Sequence, residues 1–233
     1  MRGILSGLLF ILAVSCPFGI KAGPSQLQAS LSLAGIFHHL DANAATFRSL
    51  TADVARTKVT VIVNDRSTES GKLWVRGEDM RLELTSPDVR TILRRGDKLY
   101  IYTAGLKRVE EYDLGKHRDM VDEFLQLGFG TSGRALQQPF TVKLLGESAV
   151  DGMKTAWLEL HPKSDDVRKQ FSKIQLWLDE NSWLAVEQKF FEAGSDDYFE
   201  VHYSNVVRNP KIDDSRFTNV WPAGTKKFTP PVG

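Results

Sequence analysis

Cysteine is almost missing from this chain of 233 residues, in which Cys16 stands alone. A single cysteine excludes an internal disulfide framework and any metal site built from several cysteines. An excess of one charge is missing too, because 30 Lys and Arg balance 29 Asp and Glu. The net charge of +1 gives no basic surface for nucleic acid, so no nucleic-acid partner is expected.

Long hydrophobic runs are confined to the N-terminus. Residues 3–20 carry no charge, but they are interrupted by Pro17 and are too short for the roughly 20 apolar residues that span a bilayer. This pattern predicts a secretory signal peptide over residues 1–22. Two processing sites stay open: cleavage after Ala22, or lipidation of Cys16 within a loose lipobox.

Motifs for catalysis, cofactors and metals are scarce. Gly128–Gly133 has the spacing G-x-G-x-x-G, but it follows a predicted helix, whereas the dinucleotide-binding fingerprint follows a strand. The five histidines are scattered, and the side chains of His38 and His39 diverge by about 100° on a helix. Adjacent carboxylates fall in strands, where they face opposite sides, or in turns. We therefore expect no enzyme, no metal site and no cofactor.

Apolar periodicity predicts a mostly β fold. Spacings of three and four predict a helix over residues 27–47, and a second helix is plausible at His117–Leu127. From Leu50 the period changes to two, and turn signals at short intervals delimit about eleven strands. A change of parity within the first strand predicts a bulge near Arg56 or a sharply twisted strand.

Residues 23–233 contain no linker, repeat or low-complexity tract, so a single domain is expected. The fold class is α+β, with a large antiparallel sheet and a few helices packed on one side. A sheet this wide curls and must cover its inner face, and a filled core and an apolar cavity both satisfy that requirement.

The order of several sequence segments resembles a known family. It is the outer-membrane lipoprotein carrier protein family, the LolA-like periplasmic lipoprotein chaperones, and the resemblance extends from about Phe47 to Phe228. The segments that carry it are Phe47–Val54, Gly71–Arg76, Met80–Leu84, Arg95–Tyr102, Ile174–Asp179 and Trp221–Gly224.

The resemblance implies a strongly curved antiparallel sheet that forms an incomplete β-barrel with a helical lid. It implies a periplasmic, non-enzymatic carrier that takes acyl chains of a lipoprotein or lipid from an inner-membrane transporter to an outer-membrane acceptor. Anchoring through a lipidated Cys16 is an alternative to a free periplasmic protein. An envelope sensor of the same fold, which binds lipoprotein and regulates a membrane partner, is the alternative function.

The resemblance also assigns an inward face to residues that share strand parity. The implied cavity lining consists of Phe37 and Leu40 on the lid, with Leu73, Val75, Leu82, Leu84, Leu158, Leu160, Ile174, Leu176 and Leu178 on the sheet. Arg76 is the best positional match to a family arginine that bonds the lid helix, although the family's Lys-Arg-Pro is not present here. A solvated arginine at a strand end is the alternative for Arg76.

Overall fold

One large sheet dominates the computed structural model, which describes residues 31–115, 118 and 127–230. Within those residues twelve strands join in a single sheet. They are β1 (Ser49–Thr60), β2 (Asp65–Arg76), β3 (Asp79–Ser86), β4 (Arg90–Arg95), β5 (Lys98–Thr103), β6 (Arg108–Asp113), β7 (Phe140–Val150), β8 (Met153–Pro162), β9 (Phe171–Asp179), β10 (Ala185–Glu192), β11 (Tyr198–Arg208) and β12 (Lys226–Phe228).

The sheet consists of two antiparallel meanders. Strands β1 to β6 form the first and β7 to β11 the second, and pairing of β1 with β11 joins them. The order across the sheet is β12-β6-β5-β4-β3-β2-β1-β11-β10-β9-β8-β7, and only the short β12 pairs in parallel, with β6. The sheet ends at β12 and β7 without closing, so the predicted fold class, a curved and incomplete barrel, is confirmed. The strand beyond the eleven expected is the three-residue β12.

Three short helices accompany the sheet in the described ranges: α1 (Leu33–Thr46), α2 (Gly133–Gln137) and α3 (Asp165–Arg168). Helix α1 begins later than the predicted residue 27, because Ser32 caps it by accepting a hydrogen bond from the Gly35 amide at 3.1 Å. The predicted signal peptide, Cys16 and most of the predicted helix His117–Leu127 lie outside the described residues. None of the described helices combines the length and apolar character needed to cross a bilayer.

The bulge predicted near Arg56 is wrong. Strand β1 pairs with β2 without a register shift, and its pairing with β11 shifts between Thr51 and Asp53. The apolar parity changes beyond Arg56 because Val59, still within β1, is buried on the face opposite Val54, and Val61–Val63 then leave the strand and form a 3-10 turn. The apolar run thus continues past the end of the strand.

Helices α1 and α2 pack on the face of the sheet that bears Leu73 and Leu158, and the opposite face is covered by the chain after β11. There Phe217 is fully buried with Leu93 and Val109, and the Trp221 ring stacks on Tyr102 at 5.3 Å between centroids. The first meander therefore packs against other parts of the chain on both faces, although not over the whole of the face that carries the helices.

A charged cluster on strands β8 and β9 ties these strands together on the face opposite Leu158. The Glu159 carboxylate accepts hydrogen bonds from Lys173 Nζ at 3.1 Å and Gln175 Nε2 at 3.3 Å, and it contacts His161 Nε2 at 2.8 Å. Burial raises the pKa of Glu159, but the hydrogen bonds from these three side chains outweigh burial and lower it to about 2.

We expect Glu159→Gln to lower the free energy of unfolding at pH 7 by about 1–2 kcal/mol. This loss of stability is smaller than the full effect of the lowered Glu159 pKa, because His161 and Lys173 lie at the solvent boundary, where charges are screened. Since the folded pKa lies below the ordinary 4.5, this stability is complete above pH 4.5 and is lost as the pH falls toward 2.

Urea denaturation from pH 7 to pH 3 would measure this effect, and the curves of wild type and variant should converge at low pH. Glu147→Gln is the matched control, since Glu147 forms an exposed ion pair with Lys154 and should change stability by less than about 0.5 kcal/mol. A constant difference across this pH range would contradict the assignment to the Glu159 carboxylate.

Candidate functional site: an apolar cavity

A cavity of about 490 Å³ lies on the face of the sheet that carries the helices. Its walls come from strands of both meanders, and β4 and β9 line it together although they stand six places apart in the sheet. The sheet must therefore curve around the cavity. The lining residues are Val54, Arg56, Leu73, Met80, Leu82, Leu84, Arg90, Ile92, Phe171, Gln188, Phe190, Phe199, Val201 and Tyr203.

Three phenylalanines form an aromatic wall on one side. Phe190 and Phe199 lie on paired strands and stack with their ring centroids 4.6 Å apart. Phe171 meets both rings edge to face, at 5.7 and 5.9 Å. Such contacts fix the ring positions, so this wall is preformed.

The inner end of the cavity is polar but uncharged. The Tyr203 hydroxyl donates to Gln188 Oε1 at 3.0 Å, and the Gln188 amide donates to the Leu127 carbonyl. Burial raises the pKa of the Tyr203 phenol far above its usual value, so this group is neutral at physiological pH. Because each of these buried groups has a partner, the inner end carries no desolvated charge.

The outer end of the cavity carries three charged side chains, which we call the mouth cluster: Arg56, Glu69 and Arg90. Arg56 Nη1 donates to Glu69 Oε2 at 2.9 Å, and Arg90 Nη2 lies 3.3 Å from Glu69 Oε1. The two arginine side chains are 36 % and 33 % exposed, in contrast to the buried Tyr203 and Gln188. The mouth cluster therefore marks the side on which the cavity meets solvent.

The predicted lining residues of the sheet lie on one face, and all of the predicted lining residues except Leu84 fall in one hydrophobic cluster, but at different positions along it. Leu73, Leu82 and Leu84 line the cavity. The others pack into the adjoining core: Phe37, Leu40, Val75, Leu158, Leu160, Ile174, Leu176 and Leu178. The core positions adjoin the cavity, and their contact with a ligand remains a prediction.

Helix α1, the predicted lid, is fastened to the body of the protein. Ile36 and Leu40 are buried in the core cluster. Asp41 Oδ1 accepts from the Gly133 amide at 2.9 Å, and α2 approaches so closely that a Cβ on Gly133 would lie 2.6 Å from Phe37 Cβ. The imidazole of His39 also stacks on Trp183, with centroids 4.2 Å apart.

The C-terminal end of α1 is held by Arg208. Its Nη2 donates to the Asn43 carbonyl at 3.0 Å and to Thr46 Oγ1 at 2.6 Å. The carbonyls in the last turn of a helix lack partners within the helix, and a cation there also meets the negative end of the helix dipole.

Arg76, the predicted latch, does not lie at the end of α1 that Arg208 contacts. It donates to the Ile212 carbonyl at 3.1 Å and to Asp214 Oδ1 at 2.6 Å, on the segment after β11. Among the residues that the structure describes, its recorded partners do not include any residue of α1. Its role as a latch remains a prediction, whereas Arg208 does bond α1, as does Arg48 through the Ala45 carbonyl at 3.2 Å.

Sequence reasoning missed the mouth cluster and the aromatic wall. The signal for Arg56 was the parity of β1, which continues from Val54 and puts the guanidinium on the inner face. Phe190 and Phe199 lie in segments of alternating polarity, but their meeting depends on the pairing of β10 with β11. Arg90 begins its strand, and no local pattern indicated its contact with Glu69.

Comparisons with known proteins are consistent with this geometry. A family model described as "Uncharacterized protein" matches residues 82–209, more than half of the chain. An outer-membrane lipoprotein carrier protein of Dechloromonas aromatica is 26 % identical over 204 residues, 87 % of this chain and 88 % of the relative. A protein of the same name from Methylobacillus flagellatus is 25 % identical over 216 residues, 92 % and 93 % of the two chains.

Solved structures support the fold. An uncharacterized conserved protein from Thermus thermophilus superposes with a TM-score of 0.57 at 9 % identity, over 86 % of this chain and all of the other. MucB superposes with a TM-score of 0.51 at 13 % identity, over 81 % of this chain and 62 % of MucB. The chain thus belongs to the family described as uncharacterized, and its similarity to these two curated relatives together with its fold makes it LolA-like.

Proposed function

We propose that this protein is a non-enzymatic periplasmic carrier, which binds acyl chains of lipoproteins or lipids in its cavity and hands them from the inner to the outer membrane. The observation that carries the proposal is the apolar cavity of about 490 Å³ enclosed by the curved sheet. The names of the two curated relatives support the same reading. Residues 1–22 would serve as the signal peptide and residues 23–233 as the carrier domain, with lipidation of Cys16 as the alternative to cleavage.

Apolar burial supplies the driving force in this proposal. Each methylene transferred from water into an apolar site is worth about 0.8 kcal/mol, so a chain of a dozen carbons binds strongly without any polar contact. The aromatic wall is already ordered, which reduces the entropy lost on binding. Release then requires a competing acceptor, which the proposed membrane partners would provide: an inner-membrane transporter for loading and an outer-membrane acceptor for unloading.

The cavity wall provides the direct test. We expect Leu82→Glu to reduce acyl binding at least tenfold, because it puts a carboxylate among apolar side chains. Leu82 is only partly buried, so the variant should fold, which circular dichroism would check. Thr85→Glu is the matched control, since it adds the same charge to the same strand on the exposed opposite face.

Native mass spectrometry of protein purified without detergent would measure acyl adducts and the uptake of added dodecanoate. Wild type and Thr85→Glu should both carry adducts. Folded Leu82→Glu that still binds dodecanoate would refute the assigned wall, and wild type that takes up none would refute the carrier function. The mass also reports whether Cys16 bears a diacylglyceryl group.

Helix α1 would act as the movable cover. We expect Arg208→Gln to speed amide hydrogen exchange in residues 36–44 about fivefold, because the cation that joins the last turn to β11 is lost while Arg48 stays bound to Ala45. Arg76→Gln is the control and should leave α1 unchanged, since its partners lie at Ile212 and Asp214. Equal effects of the two variants would contradict the assignment of the latch to Arg208.

Exposed apolar side chains mark the end of the sheet at which the cavity opens. The turns β1–β2, β3–β4 and β5–β6 fall at the same end, because the strands alternate in direction. We call their exposed members the apolar rim: Val61, Ile62, Val63, Val89 and Leu106. Ile62 is 92 % exposed, which is costly unless it contacts a membrane or a partner during transfer.

We expect Ile62→Ser with Val63→Ser to slow transfer of bound dodecanoate to acceptor vesicles severalfold, with unchanged affinity. Val220→Ser is the control, because Val220 is 77 % exposed on the segment that covers the opposite face. Stopped-flow transfer of a fluorescent acyl probe would give the rates. Equal rates for all three proteins would show that the rim takes no part in transfer.

A further inference from the structure

The mouth cluster is an unusual feature of a cavity that is otherwise apolar. One carboxylate, Glu69, serves two guanidinium groups, at 2.9 Å from Arg56 and 3.3 Å from Arg90. Each guanidinium has five N–H donors, and only a few of them can be used by one carboxylate. The cluster therefore retains donor capacity and a net charge of +1.

A neighbouring ion pair does not cancel this charge. On the same face of β1 and β10, Lys58 and Glu192 pair with each other and add no net charge. The cluster and this ion pair together comprise three cations and two carboxylates. The local field favours an anion.

Arg56 is also fixed relative to the apolar wall. Its Cζ lies 4.8 Å from the centroid of Phe199, which lines the cavity. A group held between Arg56 and Arg90 would therefore lie next to an acyl chain packed against Phe199. Paired arginines recognise carboxylates and phosphates through parallel hydrogen bonds, and Glu69 already shows that an anionic oxygen fits between these two.

We propose that the mouth cluster binds the anionic headgroup of the cargo, a phosphate or carboxylate at the end of the acyl chain that the cavity holds. The inference rests on the proposed carrier function and adds a substrate class to it. Neutral acyl lipids bind only through contact with the apolar walls, whereas anionic lipids also accept charge-assisted hydrogen bonds at the mouth. Arg90 is then a specificity-determining residue.

Isothermal titration of the mature protein with two ligands of equal chain length tests this proposal. Dodecyl phosphate carries the anion and 1-dodecanol lacks it. Inorganic phosphate, as a third ligand, carries the anion without an acyl chain. We expect wild type to bind dodecyl phosphate about tenfold tighter than 1-dodecanol, and to bind inorganic phosphate far more weakly than either.

Arg90→Gln should reduce the preference for dodecyl phosphate over 1-dodecanol to less than threefold. This variant keeps the pair of Arg56 with Glu69, so no carboxylate is left without a partner. Arg66→Gln is the matched control, because it removes the same charge from the opposite face of β2, where Arg66 contacts Tyr198 and Glu200. The control should keep the full preference.

The outcomes separate the headgroup site from the carrier function. Equal binding of the two acyl ligands by wild type overturns the headgroup site and leaves the carrier standing. A preference that survives in Arg90→Gln overturns the assignment to this cluster. Binding of inorganic phosphate as tightly as dodecyl phosphate overturns the link to an acyl cargo, and failure of both acyl ligands to bind overturns the carrier function itself. If Arg90→Gln does not fold, the wild-type comparison still decides whether an anion is preferred.

Discussion

The pairing of β1 with β11 is the interaction on which the rest of the structure depends. It is the contact that makes one sheet of two meanders, along a register that runs from Leu50 opposite Arg208 to Val59 opposite Tyr198. The cavity takes Leu82 and Ile92 from the first meander and the aromatic wall from the second. Neither meander alone could enclose it. Pairs so distant in sequence are costly to form, so the site exists only once the whole sheet has assembled.

A single face of the sheet provides both core and cavity wall. Where α1 and α2 cover it, side chains such as Leu40, Leu158 and Leu176 pack into a filled core. Toward the mouth cluster the same face borders the cavity instead. The helices are short compared with a twelve-stranded sheet, and this mismatch leaves space that the sheet cannot fill by itself. The filled core and the apolar cavity, alternatives at the sequence level, therefore occur side by side.

This division explains how far the sequence could lead. A two-residue period determines which side chains of one strand share a face, such as Leu82 and Leu84, and the resemblance supplied the expectation that this face and that of Leu158 both point inward. The period contains nothing about where a helix lies over that face, so wall and core positions could not be separated. Arg208 was missed for a related reason: it meets α1 only because β11 ends beside the last turn of the helix, 165 residues away from Asn43. A three-residue strand such as β12 is too short to show an alternation of apolar and polar residues, so the sequence could not indicate it.

The distribution of polarity along the cavity follows from the cost of burying charge. At the inner end, Tyr203 and Gln188 satisfy each other and the Leu127 carbonyl, so the polar groups there are neutral and paired. At the outer end the guanidinium groups are about one-third exposed and keep much of their hydration. Charges at the inner end would each cost several kcal/mol to desolvate, and an acyl chain would gain nothing from them. Charges at the mouth leave the apolar affinity intact and can discriminate among headgroups. Because water screens contacts there, the headgroup can leave readily, and the acyl chain in the apolar walls determines how long the cargo stays bound.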